Sequence, residues 1–369
     1  MITMTNVLKK GRTVWDSALL PIDEYVERTR VLREAMARDG LDVLVSLGHA
    51  TRPGNFAYLS GYVPPLGWMG TVLGSESGPM LVSGGGPRET PFVKTQTWIE
   101  DLRTSRSLFT GPAEVVAAAV GEIATAGDRV GVAGAHDALN SATRDELTEA
   151  LSPYATVEAD ELMASVRVRK RPREIIALRR SAEIARQAAE VGIERFAAGD
   201  SAAEAGLAAE RAARLAGCRD VRVLCDPGNG ELAPVEELSP DRGERFAVFC
   251  AVEHLSYWGQ AALSTGPSPA AVAAMEAMLG TATAGADAGD IASAATGALP
   301  AGAVEAALSY GLGGGIGLDA SEAPEVVPGG VATLAPGMVL GLQVIAPEDG
   351  GLGCASETVL VTESGPTRW

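Results

Sequence analysis

The chain has 369 residues, 46% of them hydrophobic, and 30 Lys and Arg set against 47 Asp and Glu give a formal charge of −17. That length supports two packed domains, while the acidic balance argues against nucleic acid or an anionic membrane as partner, since both need clustered Lys and Arg. Cys218, Cys225, Cys250 and Cys354 show neither CxxC nor finger-like spacing, which speaks against a zinc module or a disulfide scaffold, and without an 18-residue apolar run or an N-terminal apolar signal core the expectation is a cytoplasmic protein.

In chain order, Glu24 to Asp39 places Val26, Val31, Leu32 and Met36 at near-helical spacing and stops at Gly40. Leu41 to Leu47 reads as a buried strand and Asn55 to Tyr62 as a further apolar segment. Thr71 to Ser83 reads as two strands around a Ser75–Gly78 turn. Ala113 to Ala126 is a predicted helix, Arg129 to Ala133 a strand, and Ser141 to Leu151 another helix. Together these predict an α/β domain over 1–160. Leu162 to Arg173 is basic and reads as a solvated connector. Beyond it, within a second domain over 161–369, helices are predicted for Arg173 to Phe196 and Ala202 to Leu215, then Pro269 to Ala286 and Ala288 to Leu299.

Between those helix pairs lies Phe246 to Thr265, which reads as a hairpin. With His254 and Leu255 at the turn, Glu253 pairs with Ser256, Ala251 with Trp258 and Phe249 with Gln260. Period-two alternation then puts Phe249, Ala251, Glu253, Trp258, Gln260 and Ala262 on one face. Glu253 reads as an exposed residue at the hairpin end. The later run Gly311 to Gly317 lacks the G-x-G-x-x-G spacing of a dinucleotide loop and is better read as backbone brought close to a neighbour.

These segments resemble, in order, the motifs of the creatinase/aminopeptidase P/prolidase (peptidase M24) family. Asn55-Phe56-Ala57-Tyr58-Leu59-Ser60-Gly61-Tyr62 is similar to its N-terminal Asn-x-x-Tyr-Leu-x-Gly-[FY] box. Tyr257-Trp258-Gly259-Gln260 resembles the metal-binding hairpin, Gly311 to Glu322 the Gly-His-Gly-Ile-Gly-Leu-x-x-His-Glu segment, Pro336 to Gln343 the Pro-Gly-Met-Val-x-x-x-Glu segment, and Cys354 to Val361 the Arg-Ile-Glu-Asp-Thr-Val-Leu-Val strand. The resemblance implies an α/β N-terminal domain followed by an α+β pita-bread domain. It also implies a homodimer in which one subunit's N-terminal domain closes its partner's pocket, with Arg52 available as a carboxylate clamp.

The same comparison places Phe249, Gln260, Gly314, Gln343 and Ser356 where family members hold metal ligands, and all five are neutral. A dinuclear Mn²⁺, Zn²⁺ or Co²⁺ centre needs anionic oxygens and imidazole, so the expectation is no metal and no other cofactor. Ser321 stands at a second histidine position of the family, and none of His49, His136 or His254 falls at a ligand position. The functional expectation is a metal-independent, creatinase-like enzyme of a specialised pathway, acting on a small amino-acid-like or guanidino substrate by C–N hydrolysis or related acid–base chemistry. Glu322 or Glu357 would be the base, and Trp258, Gln260, Ser264, Ser321, Gln343, Ser356, Phe249, Gly314 and Arg52 would line the substrate site. The alternative is a catalytically inactive pita-bread pseudopeptidase that binds a ligand or a protein. Cys250 and Cys354 read as small buried hydrophobes rather than nucleophiles.

Overall fold

A computed structural model of the chain describes residues 15–64, 67–84, 90–105, 111–238 and 243–369. The chain divides into two compact units, Met1–Arg167 and Val168–Trp369.

The first unit runs α1 (Ile22–Asp39), β1 (Val43–His49), α2 (Gly54–Ser60), β2 (Trp68–Gly74), β3 (Met80–Ser83), α3 (Thr90–Val93), β4 (Leu102–Thr104), α4 (Ala113–Gly121), β5 (Arg129–Ala133), α5 (Ala135–Ala138), α6 (Ser141–Ala150), β6 (Ala155–Glu158) and α7 (Asp160–Arg167). Its strands form one mixed sheet in the order β4-β3-β2-β1-β5-β6. The central strand β1 is almost wholly buried, because Val43, Leu44, Val45 and Leu47 feed the cores on both sheet faces. The Asn55 box is a helix, and its asparagine is a tie: Asn55 Oδ1 accepts from Arg167 Nη1 at 2.6 Å and Asn55 Nδ2 donates to Asp160 Oδ1 at 3.3 Å.

That tie corrects the reading of the basic connector as solvated. Its first half is the helix α7, which buries Leu162 and Met163, and Lys170 further on is itself buried. Short-range charge density alone does not reveal partners that lie a hundred residues away.

The second unit runs α8 (Pro172–Ala197), α9 (Ala202–Leu215), β7 (Asp220–Asp226), β8 (Ala233–Pro234), β9 (Ala247–His254), β10 (Tyr257–Ser264), α10 (Pro269–Thr281), α11 (Ala288–Ala298), α12 (Ala301–Tyr310), β11 (Gly313–Gly315), β12 (Glu322–Glu325), β13 (Val339–Glu348), β14 (Gly351–Thr362) and β15 (Gly365–Arg368). Ser201 caps α9 and exchanges hydrogen bonds with Glu204, which fixes where that helix begins. One sheet has the order β10-β9-β7-β8 and is covered by α8 and α9; the other has the order β12-β11-β13-β14-β15 and is covered by α10 to α12. The helix-free faces of the two sheets turn toward each other. Gly259 of β10 lies so close to α8 that a Cβ there would sit 2.3 Å from the Ser181 carbonyl carbon, so only glycine fits that crossing.

Candidate functional site

The site is built where β9 and β10 face β13 and β14. In the hairpin Trp258 pairs with Glu253, Gln260 with Ala251 and Ala262 with Phe249, and the turn is Leu255-Ser256, with both φ values positive. The turn is thus one residue later than expected. The pairing moves by two, however, so the expected face is preserved and Phe249, Trp258, Gln260 and Ser264 share it. Glu253 is corrected from exposed to buried. It is 2% exposed, paired with Arg219 at 2.5 Å, and accepts the Ser256 N–H, which braces the turn.

Across from the hairpin, Gln343 and Ser356 are directly opposed on β13 and β14, and Gly314 of β11 lies beside Gly341 in the same row. The structure therefore brings Phe249, Gln260, Gly314, Gln343 and Ser356 onto two facing surfaces. Each does structural work there. Phe249 packs with Ala262, Ile345, Leu352, Cys354 and Tyr310. The Gln260 side chain lies over Gly341, with Nε2 2.7 Å from where a Cβ would stand. Gln343 Nε2 donates to the carbonyls of Tyr310 (3.0 Å) and Gly311 (3.3 Å), capping the end of α12. Ser356 Oγ accepts the Ala262 N–H at 2.7 Å and donates to the Ala262 carbonyl at 3.1 Å, which satisfies the outward groups of the edge strand β10. At Gly314 a Cβ would lie 2.7 Å from the Pro324 carbonyl oxygen, so β12 occupies the room a larger residue needs.

The remaining predicted residues are placed differently. Trp258 is 5% exposed and carries the Arg222 guanidinium over its ring at 4.6 Å. Ser264 Oγ shares a hydrogen bond with Ser268 Oγ and accepts the Cys354 N–H. Ser321 is exposed on the turn before β12. Glu322 is held by Lys170 Nζ at 2.8 Å and by the Asp319 N–H at 3.1 Å. Its carboxylate rests against Gly317, whose carbonyl accepts the Trp258 N–H, so it stands beside the tryptophan. Glu357 is not brought to the site. Strand alternation turns it toward α10 with Ala355, Val359 and Val361, where it pairs with Arg368, which also reaches Glu276. Arg52 belongs to the first unit and forms an exposed pair with Asp137 at 3.3 Å.

One residue that matters here escaped the sequence reading. Asp226 is fully buried beside the site; its Oδ1 accepts the N–H groups of Gly228, Asn229 and Gly230, and its Oδ2 accepts that of Leu352. The Asp-Pro-Gly-Asn-Gly run signals the turn, but nothing local signals Leu352.

Donor chemistry decides whether the family's dinuclear centre fits. An amide pair, a hydroxyl, a phenyl ring and a glycine supply no anionic oxygen and no imidazole. Among the described residues, no three His, Cys, Asp or Glu side chains gather in a way that could hold a metal ion. The residues present do not fit that group.

The four cysteines are reduced and buried. Burial, with the Asp226 charge adding to it, pushes the Cys225 and Cys354 thiols up to about 12, and burial raises Cys250 further. The folded chain thus holds these protons more tightly than the unfolded chain, whose thiols ionise near 8.5. Stability is accordingly complete below about pH 8.5 and declines as pH rises toward 12, by up to about 1.4 kcal/mol per pH unit for each thiol. Urea unfolding at pH 8, 9 and 10 should show that decline, and Cys250→Ala should make it shallower by one thiol's share. An identical slope in the variant would remove this thiol from the account.

Residues 269–363 match the model of metallopeptidase family M24. No curated protein sequence matches the chain. Among solved structures, the prolidase from Pyrococcus horikoshii OT3 is similar at 19% identity, over 93% of this chain and 97% of that one, with a TM-score of 0.73. Dipeptidase PepE from Mycobacterium ulcerans is similar at 21% identity over 96% of both chains, with a TM-score of 0.74. The X-Pro aminopeptidase from Thermotoga maritima MSB8 is similar at 17% identity over 92% and 96%, also with a TM-score of 0.74. At such identities the likeness carries the fold, a two-domain α/β plus pita-bread architecture. The M24 match falls within the second unit, the one with the pita-bread architecture.

Proposed function

We propose that this chain is a pseudopeptidase: a pita-bread protein in which the hydrolytic centre has been replaced by packing, and which acts by binding rather than by metal-dependent peptide hydrolysis. The observation that carries this reading is the use made of the old ligand positions. Phe249 fills space, Gln343 caps α12, Ser356 clips the edge of β10, and Gly314 leaves room only for backbone. Catalysis needs groups held ready for the reacting atoms, and these groups are committed to the protein itself.

One observation favours a second reading, the metal-independent creatinase-like enzyme. Glu322 stands beside Trp258, and Gln343 Oε1 is buried without a hydrogen-bond partner among the described residues. A buried acceptor of that kind costs about 1–3 kcal/mol unless a ligand donor meets it. A small guanidino or amide molecule has such a donor.

Two measurements separate the readings. The chain, incubated with Mn²⁺, Co²⁺ or Zn²⁺ and desalted, is expected to retain substoichiometric metal and to leave X-Pro dipeptides intact. Two retained metal equivalents with dipeptide turnover would overturn both readings. Turnover of a guanidino or amide substrate by the metal-free chain, lost in Glu322→Gln, would select the second. The homodimer implied by the resemblance is part of the proposal, and sedimentation checks it.

A further inference from the structure

A separate cavity lies wholly within the first unit. It is a slot of about 190 Å³ between the edge strand β6 and helix α6, at the carboxyl ends of β5 and β6. In open α/β sheets that end of the strands is where ligands are commonly received. The volume is below the roughly 300 Å³ at which pockets for drug-sized molecules begin, so an occupant would have only a few heavy atoms.

The slot's lining has three parts. Val132, Leu147 and Leu151 give it an apolar floor. Arg144 and His136 line it as donors: Arg144 Nη1 lies 2.7 Å from His136 Nδ1. Because a guanidinium only donates, Nδ1 accepts, and the ring hydrogen sits on Nε2. Glu158 and Asp160 line it as acceptors. The Asp160 carboxylate is fixed by the Gly134 N–H at 2.7 Å, so its position does not depend on a flexible side chain finding a partner.

We infer that this slot binds a free aliphatic α-amino acid. Arg144 and His136 receive the carboxylate, Glu158 and Asp160 the ammonium group, and Val132, Leu147 and Leu151 the side chain. A zwitterion satisfies both charge signs at once, whereas a lone anion or cation meets only one of them and faces the other as repulsion. Charge-assisted hydrogen bonds to a guanidinium and a carboxylate are the strong ones, and they select the ligand's two ends. The hydrolytic centre has no part in this site, so the inference stands apart from the function proposed above.

The test is calorimetric titration of the full chain with L-leucine up to about 10 mM, the range in which weak but saturable sites are read. Saturable binding is expected. It should weaken at least about tenfold in Arg144→Gln and in Glu158→Gln, as loss of one charged contact implies. Leucinamide and N-acetyl-leucine, each lacking one charge, should bind no better than the variants do. Thr148→Trp, which fills the slot from an exposed position and changes no charge, should abolish binding while leaving thermal unfolding unchanged. Absence of saturable binding to the parent chain would overturn the inference. So would L-leucine binding that persists in all three variants, or binding of leucyl-leucine equal to that of leucine.

Discussion

Replacing Asp226 by alanine is expected to cost the second unit at least about 4 kcal/mol, because four backbone N–H groups lose one buried acceptor together. The carboxylate is fully buried, its bonds to Gly228, Asn229 and Leu352 are each 2.8 Å, and that to Gly230 is 3.0 Å. Leu352 is gripped from its other side as well, since Arg245 Nε donates to the Leu352 carbonyl at 2.8 Å while Nη2 holds Pro267 and Ser268. The two charged residues therefore fix the start of β14, and with it the register that opposes Ser356 to Gln343. Asp226→Asn keeps an oxygen for the three turn donors and presents an amide to Leu352, so its cost should be smaller, about 1–3 kcal/mol. Urea unfolding of the full chain reads this cost as a lowered midpoint. Equal midpoints for the parent and Asp226→Ala would refute the role assigned to this carboxylate.

Much of this architecture can be read from the sequence, and the failures have physical causes. Strand Arg129–Ala133 and helix Ala202–Leu215 lie where local pattern places them, since periodicity and a Ser–Glu capping pair are local signals. The hairpin face is legible for the same reason. The turn is not: Leu255 and Ser256 adopt positive φ without the Asn-Gly or Gly signal such turns usually carry, and Glu253 braces them through a side chain. The five neutral ligand positions are also visible in the sequence, but what they do instead is not. Whether Gln343 reaches for substrate or for the end of α12 depends on where Tyr310 stands, 33 residues earlier in the chain. Glu357 shows the limit of motif alignment. It neighbours a ligand position in sequence, and for that reason points to the opposite face of β14.

Glu322 is an acid beside the site, and its pairing with Lys170 predicts how it responds to substitution. The Lys170 and Glu322 side chains are 2% and 7% exposed, with 2.8 Å between Nζ and Oε2. Lys170→Met and Glu322→Gln each remove one half of this buried ion pair, and each should cost about 3–5 kcal/mol. The double variant contains neither charge, and methionine retains most of the lysine's apolar length beside an amide of nearly the carboxylate's shape. It should therefore be more stable than either single variant, with a coupling of several kcal/mol in a double-mutant cycle. The same cycle bears on function. If binding alone is what the fold retains, a ligand of the second unit should be held by the double variant as well as by the parent, since the pair's role is to anchor β12 against the segment that precedes α8. Additive losses in the cycle would mean that the two groups do not depend on each other, and the carboxylate would then be available for proton transfer after all.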